Sequence, residues 1–138
     1  MKTRFYLAAL IGSILILILF SSCESGGDTV VGSAEDTQIT NLSFHVDTTY
    51  LEASQSRLVA KGTVTNNGST QVSSPWYVEG QFYTDAAYKV KLGGSSTEIG
   101  VPLSRGQSTF WTIYFSSSNV NVNNYPNSRI SDLRGIYK

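Results

Sequence analysis

Short segments in which apolar and polar side chains alternate fill the chain after Gln38. Leu42, Phe44 and Val46 alternate with polar neighbours, so one face of this segment can be buried while the other meets water. The next segment, 58–64, alternates in the same way and runs into an Asn-Asn-Gly turn signal. The pattern predicts two neighbouring β-strands.

Further extended segments continue the pattern to the end of the chain. Glycine, asparagine, serine and proline residues separate them, as is typical of turns. A Gly-Gly-Ser-Ser run at 93–96 is expected to interrupt one strand, and 104–107 is expected to form a turn. The predicted strands after Pro75 are 76–83, 88–92, 98–103, 109–115 and 129–137.

The segment 109–115 has the strongest strand signal. Aromatic and β-branched residues occupy both of its faces, with Phe110 beginning one face and Trp111 the other. A strand that is apolar on both faces is typical of the middle of a sheet, so a central position is predicted. Trp76 is expected to be buried against residues such as Val64 and Phe110.

The number and spacing of these strands predict an all-β fold. About seven strands of five to eight residues, with no convincing helical period between them, favour an immunoglobulin-like or fibronectin-III-like antiparallel sandwich. A small antiparallel barrel is the alternative that the pattern leaves open.

The first 23 residues have a different organisation. Lys2 and Arg4 precede an apolar run over 5–20, which is followed by two small serines and Cys23. This is the layout of an export signal. Sixteen residues of helix would span about 24 Å, which is short of the roughly 30 Å hydrocarbon core of a bilayer, so a permanent transmembrane span is not predicted.

The run Leu-Phe-Ser-Ser-Cys at 19–23 resembles the lipobox of bacterial lipoproteins. The resemblance implies that the Cys23 sulfur receives a diacylglycerol, that the chain is cut before Cys23, and that its new amine is acylated, for example with palmitate. It therefore implies membrane anchoring through Cys23. Glu24 is not the Asp that retains some lipoproteins at the inner membrane, which favours the outer membrane in a host with two membranes. An ordinary secretory signal is the alternative.

These features divide the chain into three parts. Residues 1–22 are the predicted signal peptide, 23–37 the lipidated cysteine with a polar, glycine-rich tether, and 38–138 the sandwich domain. A flexible tether of about 14 residues would reach on the order of 20 Å from the membrane.

Three pieces of the sandwich segment resemble FxLYD-type and related immunoglobulin-like modules of bacterial envelope proteins. They are Gly-Thr-Val-Thr-Asn at 62–66, Gln-Phe-Tyr-Thr-Asp at 81–85 and Pro-Leu-Ser-Arg-Gly-Gln at 102–107. The resemblance implies a strand entering a tight turn, a strand ending at a hairpin, and a turn between strands. It concerns fold and not activity.

The residues that carry chemistry are sparse. His45 is the only histidine and Cys23 the only cysteine, and there is no serine-nucleophile motif or phosphate-binding glycine loop. Without Lys2 and Arg4, 8 basic and 10 acidic side chains remain, a net charge of −2 that gives no electrostatic basis for nucleic-acid binding. We therefore expect no catalysis, cofactor or metal ion.

Aromatic residues are more numerous than one small core requires, so some rings are expected at the surface. Alternation places Tyr77 and Tyr83 opposite Trp76 and Phe82, and Tyr125 lies in a late polar loop. Tyr77, Tyr83 and Tyr125 are thus the predicted contact residues of a non-catalytic interaction module that binds an envelope protein or polymer. A carbohydrate-binding lipoprotein is the alternative function, and cross-strand pairing with burial is the alternative account of the rings.

Overall fold

The computed structural model describes residues 36–138, so the predicted signal peptide, Cys23 and most of the tether lie outside the described residues. Within this range every extended element is a β-strand of an antiparallel pair, and the remaining regular structure is two 3-10 turns, Ala53–Gln55 and Val122–Asn124. The strands are β1 (Thr37–Ile39), β2 (Leu42–Glu52), β3 (Arg57–Asn66), β4 (Trp76–Tyr83), β5 (Lys91–Ile99), β6 (Ser108–Phe115) and β7 (Arg129–Tyr137).

Two antiparallel sheets form a β-sandwich, which confirms the predicted fold class. One sheet has four strands in the order β1-β7-β4-β5, and the other has three in the order β2-β3-β6. The β3–β6 and β4–β7 pairs join strands that are distant in sequence, as in an immunoglobulin-like sandwich. The predicted β2–β3 neighbours pair from Leu42–Asn66 to Glu52–Arg57, with a bulge between Val46 and Thr48.

Alternating side chains from both sheets meet in one hydrophobic core. Trp76 and Phe82 on β4 are fully buried, and the Trp76 indole N–H donates a hydrogen bond of 3.0 Å to the Val101 carbonyl. Phe82 stacks on Phe115 with ring centroids 5.5 Å apart. The core residues lie within the compact unit Ala34–Lys138, so a chain that begins after Cys23 keeps every contact described here.

One polar side chain, Asn66, is built into this core at the end of β3. Its side chain is 1% exposed, and its amide donates to the Thr70 carbonyl at 2.8 Å and to the Leu103 carbonyl at 2.9 Å. Its own oxygen accepts from the Gly68 N–H at 2.8 Å. The Asn66 side chain is therefore hydrogen-bonded to three backbone groups of two different loops. Buried polar groups require such partners.

The glycine-rich run at 93–96 does not interrupt a strand, contrary to the prediction. β5 extends continuously through it and pairs with β4. Gly93 has φ +155°, and a Cβ there would lie 2.5 Å from the Phe115 ring. The small residues thus let β5 approach β6 closely, and the chain turns earlier, where Tyr88 has φ 54°.

The predicted central position of 109–115 is also wrong. β6 is an edge strand that pairs only with β3 among the described residues. Trp111, not Phe110, points into the core with Trp76, and Phe110 is 78% exposed. The apolar outer side of β6 faces outward because no further element of residues 36–138 packs on it.

Candidate interaction surface

The outer face of the four-stranded sheet is polar and internally paired. The Tyr77 hydroxyl donates to Glu98 at 3.1 Å, and Lys138 Nζ lies 4.7 Å from the Tyr77 ring centroid. Nearby, Arg134 Nε donates to Glu79 at 2.6 Å. The hydrogen bond to Glu98, and then the charge of that carboxylate, raise the pKa of Tyr77. Tyr77 is therefore engaged within its own sheet.

Tyr83, at the far end of the same strand, is more enclosed. It is 9% exposed, and its hydroxyl donates a hydrogen bond to Asp132, whose other near neighbour is Lys91 at 3.8 Å. That hydrogen bond, followed by burial, raises the pKa of Tyr83. The Tyr88 ring packs edge-on against it at 5.5 Å. Little of the Tyr83 ring is left for a partner.

The three tyrosines chosen from the sequence do not form one patch. Tyr77 and Tyr83 share a face of β4 but are six residues apart, which is about 20 Å along a strand. Tyr125 is half-buried in the loop between β6 and β7, where its N–H donates to the Val122 carbonyl at 3.0 Å. Each ring has a different environment.

The three-stranded sheet presents a different kind of outer face. Tyr50, Val59 and Tyr114 are aligned across its three strands by the register of β2, β3 and β6. Val59 points outward yet is fully buried, because the two tyrosine rings flank it on both sides. Tyr114 nevertheless remains 47% exposed.

Cations from β3 lie over these two rings. Arg57 Cζ is 4.1 Å from the Tyr114 centroid, and Lys61 Nζ is 5.6 Å from the Tyr50 centroid. Arg57 also pairs with Glu52 at 2.5 Å, which fixes its guanidinium against the sheet. The arrangement is a ladder of alternating aromatic and cationic side chains.

Phe110 extends this ladder along β6. It lies in the row of His45 and Thr63, two small or polar neighbours that leave its ring uncovered. Phe110 and Tyr114 share a face and are four residues apart, about 13 Å along the strand. We call the set Tyr50, Val59, Phe110 and Tyr114, with Arg57 and Lys61, the aromatic face.

Sequence reasoning did not find the aromatic face, although it expected some rings at the surface. The signal present in the sequence is the second apolar side of 109–115, from which a central strand is predicted. Alternation shows which residues share a side of a strand, but it does not show whether another layer packs there. Only the tertiary structure, in which no element of residues 36–138 packs on this side, reveals that it is open.

A surface cavity of about 410 Å³ lies between the β2 bulge and the start of β7. Val46, Asp47, Tyr88 and Arg129 contribute to its lining. His45 is exposed, with Nε2 3.5 Å from Asp47 Oδ1, as the polar side of its strand indicated.

Within residues 36–138, no three His, Cys, Asp or Glu side chains are grouped so that they could hold a metal ion. The same range contains no helix that is long and apolar enough to cross a membrane. Comparison of the chain with protein-family models, with curated proteins and with solved structures gives no match.

Proposed function

We propose that this chain is a non-catalytic envelope lipoprotein, anchored by lipid on Cys23, whose sandwich domain binds a protein partner through the aromatic face. The observation that carries the proposal is the exposure of Phe110, 78%, on a surface that also presents two tyrosines. Several large apolar side chains that are exposed together on one face, as Phe110, Tyr114 and Tyr50 are, are typical of an interaction site.

A protein partner accounts for this surface better than a sugar polymer does. A sugar polymer is usually held by several open ring faces, whereas Arg57 and Lys61 lie over the rings of Tyr114 and Tyr50 and leave Phe110 as the uncovered ring of the aromatic face. Aromatic and arginine side chains side by side are enriched in protein interfaces. The carbohydrate-binding function therefore stays as the alternative, to be tested with a glycan array.

Replacing Phe110 with Thr is expected to abolish partner binding with little effect on stability. Threonine suits a strand, and the exposed ring of Phe110 contributes little to the core, so the free energy of unfolding should change by less than about 1 kcal/mol. The measurement is affinity capture from envelope extract on immobilised residues 24–138, with quantitative mass spectrometry.

The matched control is Tyr77→Thr, which removes a ring from the outer face of the other sheet. A partner that is lost with Phe110→Thr and kept with Tyr77→Thr would support the aromatic face. If Tyr77→Thr or Tyr83→Ser alone abolished capture of the partner, the binding site would lie on the four-stranded sheet, and our assignment would be contradicted.

The anchor is tested separately. Intact-mass analysis of the protein from its native host should give a chain that begins at Cys23 and carries the added mass of a diacylglycerol and an acyl chain. In a Cys23→Ala variant this mass should be lost, because no other thiol is present in the chain. A wild-type chain without lipid would contradict the anchor while leaving the binding surface untouched.

A further inference from the structure

Among residues 36–138 no strand is hydrogen-bonded to the outer edge of β6, and β5 of the other sheet comes close to it where Gly93 lies against Phe115. β6 pairs with β3 over eight consecutive positions without a register shift, so its backbone is regular along its whole length. An exposed regular edge presents unpaired N–H and C=O groups to any other strand. This edge is therefore a template for strand addition.

The other edges of the sandwich are protected in ways that β6 is not. β2 carries a bulge, β1 has only three residues, and β5 begins with Lys91 and contains Glu98. β6 contains no proline and no charged residue, and the uncharged stretch around it extends from 106 to 128. The devices that normally prevent edge-to-edge pairing are absent from β6.

We propose that β6 pairs antiparallel with β6 of a second copy of this chain, around a two-fold axis at Thr112. This proposal rests on the proposed function and names its partner as another copy. The two three-stranded sheets would then join into one six-stranded sheet. An isologous contact of this kind closes on itself as a dimer.

The register follows from which residues share a face. Residues directly opposite one another in an antiparallel pair lie on the same side of the sheet. With the axis at Thr112, Phe110 of each copy lies opposite Tyr114 of the other copy, so the dimer contains two such pairs. Cross-strand aromatic pairs of this kind stabilise a sheet, and they would cover the open ring of Phe110.

The charge distribution permits this pairing. The second copy would meet only uncharged side chains of β6, since the cations of the aromatic face, Arg57 and Lys61, lie one strand away on β3. An interface of seven paired residues is small, so we expect a weak, transient dimer in solution. Anchoring both copies to one membrane would raise their effective concentration.

The first test is sedimentation equilibrium of residues 24–138 at up to about 1 mM, a concentration suited to weak association. We expect a reversible dimer. Thr112→Lys and Thr112→Glu should each raise the dissociation constant at least about tenfold, because like charges then face each other across the axis. An equimolar mixture of the two variants should restore dimerisation.

Three results would overturn the proposal. In the first, the wild-type chain is monomeric over the whole concentration range. In the second, both Thr112 variants dimerise as well as the wild type. In the third, a chain of residues 36–138 dimerises while the chain of residues 24–138 does not. The last result would show that residues 24–35 cover the edge. A monomer that still captures an envelope protein through Phe110 would discard the second copy and keep the proposed function.

Discussion

Replacing Asn66 with Asp is expected to lower the free energy of unfolding by about 3 kcal/mol at pH 7. The change is nearly isosteric, so packing is preserved while the hydrogen bonding is reversed. The Asn66 amide donates to two carbonyl oxygens, those of Thr70 and Leu103. A carboxylate cannot donate to either, and its charge would be buried against both oxygens.

This loss should depend on pH in a definite direction. Burial and the facing carbonyls favour the neutral acid, so the pKa of the new carboxyl is expected to rise above the value of about 3.9 that Asp has in an unfolded chain. Below about pH 3.9 the carboxyl is neutral in both states and the destabilisation is smallest. It grows as the pH rises towards the folded-state pKa and is constant above that value.

Asn67→Asp is the matched control, because it makes the same chemical change one residue along. The Asn67 side chain is exposed and donates to Ser43 Oγ at 2.9 Å. This variant should stay within about 0.5 kcal/mol of the wild type. Urea unfolding of residues 24–138 at pH 7 and pH 3.5 measures the free energy of unfolding of both variants. Equal effects of the two variants would show that Asn66 does not organise the loops as described.

Replacing Gly62 with Ala is expected to cost at least about 3 kcal/mol, or to prevent folding. A Cβ at this position would clash with the His45 carbonyl oxygen and lie 2.5 Å from Cζ2 of the Trp111 ring. The oxygen belongs to the neighbouring strand and the indole is enclosed by the core, so neither can move freely. Overpacking is most costly where backbone must shift.

Gly100→Ala provides the contrast, since a Cβ there meets nothing within 4 Å. Its free energy of unfolding should be unchanged or slightly raised, because alanine narrows the unfolded ensemble. Thermal unfolding followed by circular dichroism compares the two variants. A Gly62→Ala chain as stable as Gly100→Ala would mean that β2 and β6 are farther from Gly62 than described.

Alternation along the chain was sufficient to predict much of the fold. The strands 76–83 and 129–137 were predicted with the bounds that β4 and β7 have, and the alternation of two successive segments predicted that β2 and β3 are neighbours. Side chains repeat every two residues in a strand, so burial on one face is recorded locally. The location of His45 on a polar side was predicted for the same reason.

The glycine run in β5 could not be interpreted locally. Glycine breaks strands in many sequences, but it is also required where two strands approach closely. The Phe115 ring, which lies against Gly93, belongs to a strand that follows after an intervening loop. A contact between segments so far apart in the chain leaves no signature beside the glycine itself.

The sequence by itself determined most of the strands, the two sides of each of them and the all-β class of this protein, but neither β1 nor the continuity of β5. The tertiary structure alone decided which strands lie at an edge, and that no further layer of residues 36–138 covers the second apolar side of β6. Alternation is a local property of one strand, whereas the layer that covers a face is supplied by residues elsewhere in the chain. For that reason only the packing of the two sheets, which leaves Phe110 and Tyr114 exposed, shows the aromatic face.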